Sequence, residues 1–360
     1  MRHKIIDRRY KILRKLGAGA MGTVYKVRDL KNDKIIALKL LSRKKTSLEI
    51  VQRFKREFRL LAELHHPNLC EVYDFGTLKD GRNYFTMEYI DGENIFEAAK
   101  RLSYKKIYPW VVELCRVLEY IHSRGLIHYD IKPGNVLIQK SGTSTRVKLM
   151  DFGLVGEQRI RGGILIRGTL PYIAPEVIKG LAIDCRVDLY SLGVLLYEVF
   201  TKKPLQIDVQ LNFAALLKQS RNRIVAKPLK YIAGIPEGLR RLIIKLIDVE
   251  PAGRLSRANE VIREINKFYP TKFELETEKT LEGYLLSSQF VGRDKEMALL
   301  KSSYEKARRG DGKVILVSGD VGIGKSRLLR EFKILIQTER GYCFIGYASK
   351  EKIGSFEPFY

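Results

Sequence analysis

Cysteine is sparse in this chain. The four present, at 70, 115, 185 and 343, are scattered and share no metal-ligand spacing. Free thiols in a reducing cytoplasm are the expectation. Long apolar runs are missing too. The most apolar stretch, Leu189 to Phe200, is too short to span a bilayer and carries Glu198, so no membrane span is expected. The N-terminus lacks the pattern of a signal peptide, and no internal repeat or low-complexity tract occurs. Acidic residues are outnumbered, with 41 Asp and Glu against 66 Lys and Arg, a net charge of +25. The first sixty residues hold 19 basic and 5 acidic side chains. Such an excess can attract nucleic acid, anionic membrane or an acidic partner. There is no aromatic-interleaved basic stripe and no nucleic-acid motif, so the charge reads as a solvated face and no specific nucleic-acid partner is expected.

What is present suffices for more than one core. The 360 residues suggest two domains, or one large domain with an extension, and 45% hydrophobic content is ordinary for a globular protein. Apolar alternation predicts strands over Tyr10–Leu16, Thr23–Arg28, Ile35–Leu41, Cys70–Thr77 and Asn83–Glu88. Between them Ile50, Phe54, Phe58 and Leu61 share one face of a helix over about Leu48–Leu64. Beyond about residue 95 the pattern turns helical, most clearly over Ile107–His122, Asp188–Phe200, Gly238–Ile247 and Arg257–Phe268. Residues 269–288 are polar and acidic and read as a linker. A helix is expected over Lys295–Arg308, a strand over Lys313–Ser318 and a helix over Leu328–Ile336.

The most informative run is His128-Tyr-Asp-Ile-Lys-Pro-Gly-Asn135, followed sixteen residues later by Asp151-Phe-Gly. It offers a carboxylate for a hydroxyl proton, a lysine for a transferring phosphate and two oxygen ligands for Mg²⁺, the parts that phosphoryl transfer needs. The order H-x-D-x-K-x-x-N then D-F-G resembles the eukaryotic-type Ser/Thr protein kinases. The resemblance covers about residues 10–268 and implies an α+β, bilobal protein-kinase fold, with a β-rich N-lobe and a helical C-lobe. By it, Asp130 is the general base or hydroxyl-orienting carboxylate, Lys132 neutralises the γ-phosphate, and Asn135 and Asp151 bind Mg²⁺. A lysine at 132 with Pro133 next is more similar to Ser/Thr than to Tyr kinases. His128 reads as a packed structural residue.

Gly17-Ala-Gly-Ala-Met-Gly-Thr-Val24 fits G-x-G-x-x-G-x-V. Dinucleotide-binding folds share the glycine pattern, but there a helix follows, whereas Val24-Tyr-Lys-Val alternates like a strand. The glycines at 17, 19 and 22 therefore belong in a hairpin that lets backbone approach phosphate. The resemblance makes Lys39 the strand lysine that holds the α- and β-phosphates of ATP, and Glu57 its partner on the following helix. Phe85-Thr-Met-Glu-Tyr-Ile90 resembles the hinge between lobes. Met87 would be the gatekeeper, and the Glu88 carbonyl and Ile90 amide would bond adenine. Leu16, Val24, Ala37 and Leu137 would sandwich the ring.

Gly168-Thr-Leu-Pro-Tyr-Ile-Ala-Pro-Glu176 resembles the end of an activation segment. The resemblance implies that Thr169 bridges Asp130 and Lys132, that Glu176 pairs with Arg254, and that Asp188 steadies the catalytic loop from below. One departure stands out. Tyr129 occupies the position where most of the family has an Arg that receives an activating phosphate. Only one Ser or Thr, Thr169, lies between Phe152 and Glu176. Switching by activation-loop phosphorylation is therefore expected to be absent.

Gly319-Asp-Val-Gly-Ile-Gly-Lys-Ser326 fits G-x-x-x-x-G-K-[ST] without a mismatch. Backbone N–H groups at a helix N-terminus bind phosphate. In this loop the glycines at 319, 322 and 324 would cradle it, Lys325 would reach the β- and γ-phosphates, and Ser326 the Mg²⁺. With Phe290-Val-Gly-Arg293 upstream, the region resembles the P-loop ATPase modules of large signalling proteins. Only 34 residues follow Ser326, without an apolar strand ending in Asp or Glu, so this α/β ATPase domain reads as partial and is not expected to hydrolyse ATP. The expected order is a basic arm over 1–9, a Ser/Thr kinase domain over 10–268, a linker over 269–288 and a truncated P-loop domain over 289–360. The function implied is phosphorylation of Ser or Thr in protein substrates with ATP and Mg²⁺, in signal transduction. The alternative is a nucleotide-binding pseudokinase or scaffold coupled to the P-loop module.

Overall fold

Six strands at the start of the chain form one sheet, and their alternation is what aligns them. The computed structural model describes residues 5–19, 22–42, 47–142, 144–151, 158–159, 165–166, 169, 172–203, 235–286, 292–320, 322–339 and 341–343. For 141, 158–159, 165–166 and 283–286 it describes the main chain only. The strands are β1 (Ile5–Ile6), β2 (Tyr10–Ala18), β3 (Gly22–Asp29), β4 (Lys34–Leu41), β5 (Val72–Thr77) and β6 (Asn83–Glu88), in sheet order β1-β2-β3-β4-β6-β5. One face carries Ile6, Tyr10, Val27, Ile36, Leu38, Leu40 and Tyr84 as a buried cluster. Arg14, Lys15, Arg28, Lys31 and Lys34 stay exposed and supply part of the N-terminal positive charge. Residues 5–9, expected as an arm, are tied to the sheet. Ile5 pairs with Lys11, Arg9 makes a two-pronged ion pair with Asp29, and the Tyr84 hydroxyl donates to Asp7.

The chain divides into two compact units. The first holds residues 1–51, 72–87 and 288–360, and so includes this sheet. The second holds 52–71 and 88–287. In the second, most of helix α1 (Leu48–Glu63) buries Phe54, Glu57, Phe58 and Leu61 on one face. A three-stranded sheet of order β7-β8-β9 joins β7 (Gly92–Asn94), β8 (Val136–Ser141) and β9 (Ser144–Leu149). Around it lie α2 (Ile95–Ala99), α3 (Tyr104–His122), α4 (Pro175–Lys179), α5 (Arg186–Thr201), α6 (Glu237–Leu246), α7 (Ala258–Phe268) and α8 (Glu278–Leu286). Helix α5 is buried on every side from Val187 to Phe200, as its continuous apolar run dictates.

Helix α3 begins three residues before the expected start, ahead of Pro109. A proline inside a helix withholds the N–H due to the carbonyl four residues back. Here that carbonyl, of Lys105, accepts from the Tyr269 hydroxyl at 3.1 Å. Residues 269–286 therefore do not behave as a bare linker. Tyr269 also packs on Tyr108 and Phe273, Arg116 donates to the carbonyls of Glu274 and Leu275, and α8 follows.

The remaining helices, α9 (Asp294–Arg308) and α10 (Lys325–Thr338), lie in the first unit. The strand expected over 313–318 is absent, and Val314 and Leu316 are fully or nearly fully exposed. A strand exists through its partners, and no strand among the described residues pairs with this segment.

Candidate active site

The second unit gathers its chemistry on the loop between α3 and β8. Asp188, in the first turn of α5 and wholly buried, organises that loop. Its carboxylate accepts from the backbone N–H groups of His128 and Tyr129, each at 2.8 Å, and contacts His122 Nε2 at 2.8 Å. Burial by itself would raise the Asp188 pKa. The His122 bond and charge, with the His128 N–H, hold it below the ordinary carboxylate value instead. Tyr129 is thereby kept in the left-handed region, at φ 67°. His128 is wholly buried, and desolvation depresses its pKa. Its Nε2 lies 3.0 Å from the Met150 carbonyl, which can only accept, so Nε2 carries the proton. Nδ1 then accepts from the Asp130 N–H at 3.3 Å.

Asp130 stands at the centre of a closed set of polar bonds. Oδ1 accepts from the Thr169 hydroxyl at 2.8 Å. Oδ2 accepts from Asn135 Nδ2 at 2.8 Å and faces Lys132 Nζ at 2.7 Å. Lys132 Nζ also donates to Thr169 Oγ1 at 2.8 Å, so that hydroxyl donates to the carboxylate while accepting from the ammonium. Asn135 closes the short 3-10 turn Pro133–Asn135 and spends its amide hydrogens on Asp130 O and Oδ2. Its amide oxygen is the atom it can offer a cation. Asp151 follows β9 at φ 46°, and the Met150 N–H donates to the Asn135 carbonyl at 2.9 Å. One amide oxygen and one carboxylate suit Mg²⁺, which takes few protein oxygens and completes its shell with water and phosphate. No cluster of three or more His, Cys, Asp or Glu suited to a metal occurs among the described residues.

Glu88 and Ile90 also belong to this unit. The Glu88 side chain meets Lys148 Nζ at 2.7 Å, and Lys148 donates further to the Leu69 carbonyl at 3.3 Å. Lys148 is 7% exposed. The sequence reading missed this lysine, although a cation inside Val147-Lys-Leu-Met150, just ahead of Asp151, was the signal. Ile90 is buried, Leu137 is half-buried in β8, and Glu57 is wholly buried on α1. Glu176 and Arg254 form a buried pair at 2.6 and 2.8 Å. Phe152, Gly153, Gly168, Leu170 and Pro171 of the expected activation segment lie outside the described residues.

In the first unit the glycine-rich segment is the hairpin between β2 and β3. Gly17 pairs with Val24, and the Gly19 N–H donates to the Gly22 carbonyl at 2.9 Å. A side chain at Gly22 would strike the Leu40 carbonyl. Ala20 and Met21, at the tip, lie outside the described residues. Leu16 is exposed, Val24 half-buried, and Ala37 and Met87 buried. Lys39 Nζ sits 5.6 Å from the centre of the Phe85 ring.

The second loop has glycines at φ 147° (Gly319), 89° (Gly322) and 93° (Gly324), backbone that other residues rarely adopt. Gly324 caps α10, which starts at Lys325 and Ser326. Lys325 Nζ donates to the carbonyls of Gly319 and Asp320 at 2.6 and 2.8 Å. Arg293 donates to the Ile323 carbonyl at 2.9 Å. Phe290 and Val291, of the upstream motif, lie outside the described residues.

Comparison with known proteins gives the family and the fold. The protein kinase domain model matches residues 10–266, and an AAA ATPase domain model matches 289–355. A probable serine/threonine-protein kinase of Clostridium perfringens is 36% identical over 73% of this chain and 39% of its own length. The serine/threonine-protein kinase pkn3 of Myxococcus xanthus is 32% identical over 71% of this chain and 49% of its own. The chain thus spans two fifths to half the length of these relatives. The crystal structure of the Mycobacterium tuberculosis PknI kinase domain is 27% identical with a TM-score of 0.56, over 74% of this chain and 98% of that one. Its fold is accordingly that of a kinase, with a strand-rich first lobe and a helical second, and with the match to an ATPase domain after it. On its motifs, its fold and its relatives, the chain belongs to the protein kinase family.

Proposed function

We propose that the protein is a serine/threonine protein kinase that passes the γ-phosphate of Mg-ATP to Ser or Thr hydroxyls of protein substrates, in signal transduction. The observation that carries this reading is the closed set of Asp130, Lys132, Asn135 and Thr169. A substrate hydroxyl oxygen forms the new bond to the γ-phosphorus while the bond to ADP breaks, and the hydroxyl proton passes to Asp130. Lys132 balances the charge on the transferring oxygens. Mg²⁺, held by Asn135 and Asp151, supplies charge neutralisation on the phosphates when bound. Lys39, partnered by Glu57, and the glycines at 17, 19 and 22 meet the ATP phosphates. The Glu88 carbonyl and Ile90 N–H bond adenine, Leu16, Val24, Ala37 and Leu137 hold its faces, and Met87 is the gatekeeper. The loop Gly319–Ser326 takes a second nucleotide through its glycines, Lys325 and Ser326.

The domain limits proposed are 10–268 for the kinase and 289–360 for the P-loop part. The four unpaired cysteines support a reducing cytoplasm as the site of action. Tyr129 in place of an Arg supports activity without an activation-loop phosphate. Labelled phosphate transferred to a mixed protein substrate is expected in phosphoserine and phosphothreonine only, and to vanish with EDTA. Phosphotyrosine as the main product would refute the assignment of substrate class.

A further inference from the structure

Strand β5 ends its sheet, and an edge strand leaves backbone N–H and C=O groups unpaired. Here two of those groups are taken by one helix. The Tyr73 carbonyl accepts from Lys333 Nζ at 3.0 Å, and the Phe75 N–H donates to Gln337 Oε1 at 3.2 Å. Between them, Asp74 Oδ1 meets Lys333 Nζ at 2.6 Å and Gln337 Nε2 at 3.2 Å, while Oδ2 faces Arg9 at 3.3 Å. Gln337 is 5% exposed and Thr338 wholly buried. A surface ion pair between two long side chains would leave the strand's backbone to water. This contact satisfies backbone and carboxylate together.

The helix is α10, and its first residue is the lysine of the second phosphate loop. Gln337 lies twelve residues on, about 18 Å along the axis. At the near end, Lys325 Nζ is held by two carbonyls of its own loop. A phosphate is the stronger partner for an ammonium and competes for it. At the far end, β5 is paired with β6. Phe75 stands opposite Phe85, whose ring faces Lys39. Phosphate loop, helix, edge strand and Lys39 are thus linked by contiguous contacts inside one unit.

We propose that α10 is a nucleotide-responsive brace on the edge strand. Phosphate at Gly319–Ser326 alters the hold of Lys333 and Gln337 on β5, and that hold alters nucleotide affinity at the loop by the same factor. The proposal rests on the reading that this loop binds nucleotide. Its test is hydrogen exchange of the Phe75 amide in the full chain, with and without Mg-ADP. The proteins are wild type, Lys333→Ala/Gln337→Ala, Lys325→Ala and Lys39→Met. Without nucleotide, Phe75 exchange should speed up at least about fivefold in the double variant. Mg-ADP should change wild-type exchange at least about fivefold, the lower end of allosteric coupling, likewise in Lys39→Met, and not in Lys325→Ala. Equal exchange in wild type and double variant overturns the brace. A response that survives Lys325→Ala places the signal at the other nucleotide site and overturns the coupling. If Lys325→Ala binds one Mg-ADP fewer than wild type but Phe75 does not respond in wild type, the coupling fails and the phosphate-loop reading stands. If Lys325→Ala binds as many Mg-ADP as wild type, both fail.

Discussion

Single residues in this protein are set by what their neighbours can donate or accept. His128 must carry its proton on Nε2 because a carbonyl faces it, and that leaves Nδ1 to fix the Asp130 backbone. His66 presents a second buried imidazole. Desolvation first, then the charges of Arg124, Lys148 and Arg116, lower its pKa to about 3. Its Nδ1 accepts from the Asn68 N–H at 3.1 Å, a bond the protonated ring cannot keep. Below about pH 6.5 the unfolded chain protonates this histidine while the folded chain does not. Stability should therefore fall as pH drops from about 6.5 to about 3, by about 1.4 kcal/mol per pH unit from this group. In urea titrations across that window, His66→Gln should flatten the dependence by that slope. An unchanged slope would contradict the buried, neutral assignment.

Elements here are held by a few polar ties added to apolar faces. Arg254 follows the 3-10 turn Pro251–Gly253 and reaches Glu176 of α4, donating also to the carbonyls of Asp248 and Arg186. Truncation by Arg254→Ala strands a buried carboxylate and should cost about 3–5 kcal/mol, read as a lower unfolding midpoint in urea. Arg254→Ala/Glu176→Ala should recover part of that loss, and no recovery would mean that packing, not charge, ties the two elements. The strands and long helices were legible in the sequence through their apolar patterning, one-faced in α1 and unbroken in α5. Asn83–Glu88 has the expected bounds, and α5 was marked by its unbroken apolar run. Residues 313–318 misled because an apolar run states what wants burial, not whether a partner strand is there. The start of α3 lies three residues ahead of the expected Ile107, and the Tyr269 hydroxyl that takes up the Lys105 carbonyl freed by Pro109 lies 164 residues away in the chain.

On the scale of the whole molecule, two glycine-rich motifs proposed to bind phosphate occupy one chain. The run proposed as catalytic was readable because phosphoryl transfer needs a fixed set of side chains at short spacing, and Asp130, Lys132 and Asn135 do meet within one loop. Asp188 was expected below that loop, but the part of His122 was not foreseen, nor was the Glu88–Lys148 pair. Such contacts bring together residues 60 or more positions apart, and spacing says nothing about them. The proposed function puts phosphotransfer at the Asp130 loop and not at Gly319–Ser326. Its most direct test is transfer of labelled γ-phosphate from Mg-ATP to a generic Ser/Thr protein substrate by wild type, Asp130→Asn and Lys325→Ala. Label is expected with wild type and with Lys325→Ala, and a loss of about 10²- to 10⁴-fold with Asp130→Asn while nucleotide still binds. Undiminished transfer by Asp130→Asn, or transfer abolished by Lys325→Ala alone, would contradict it.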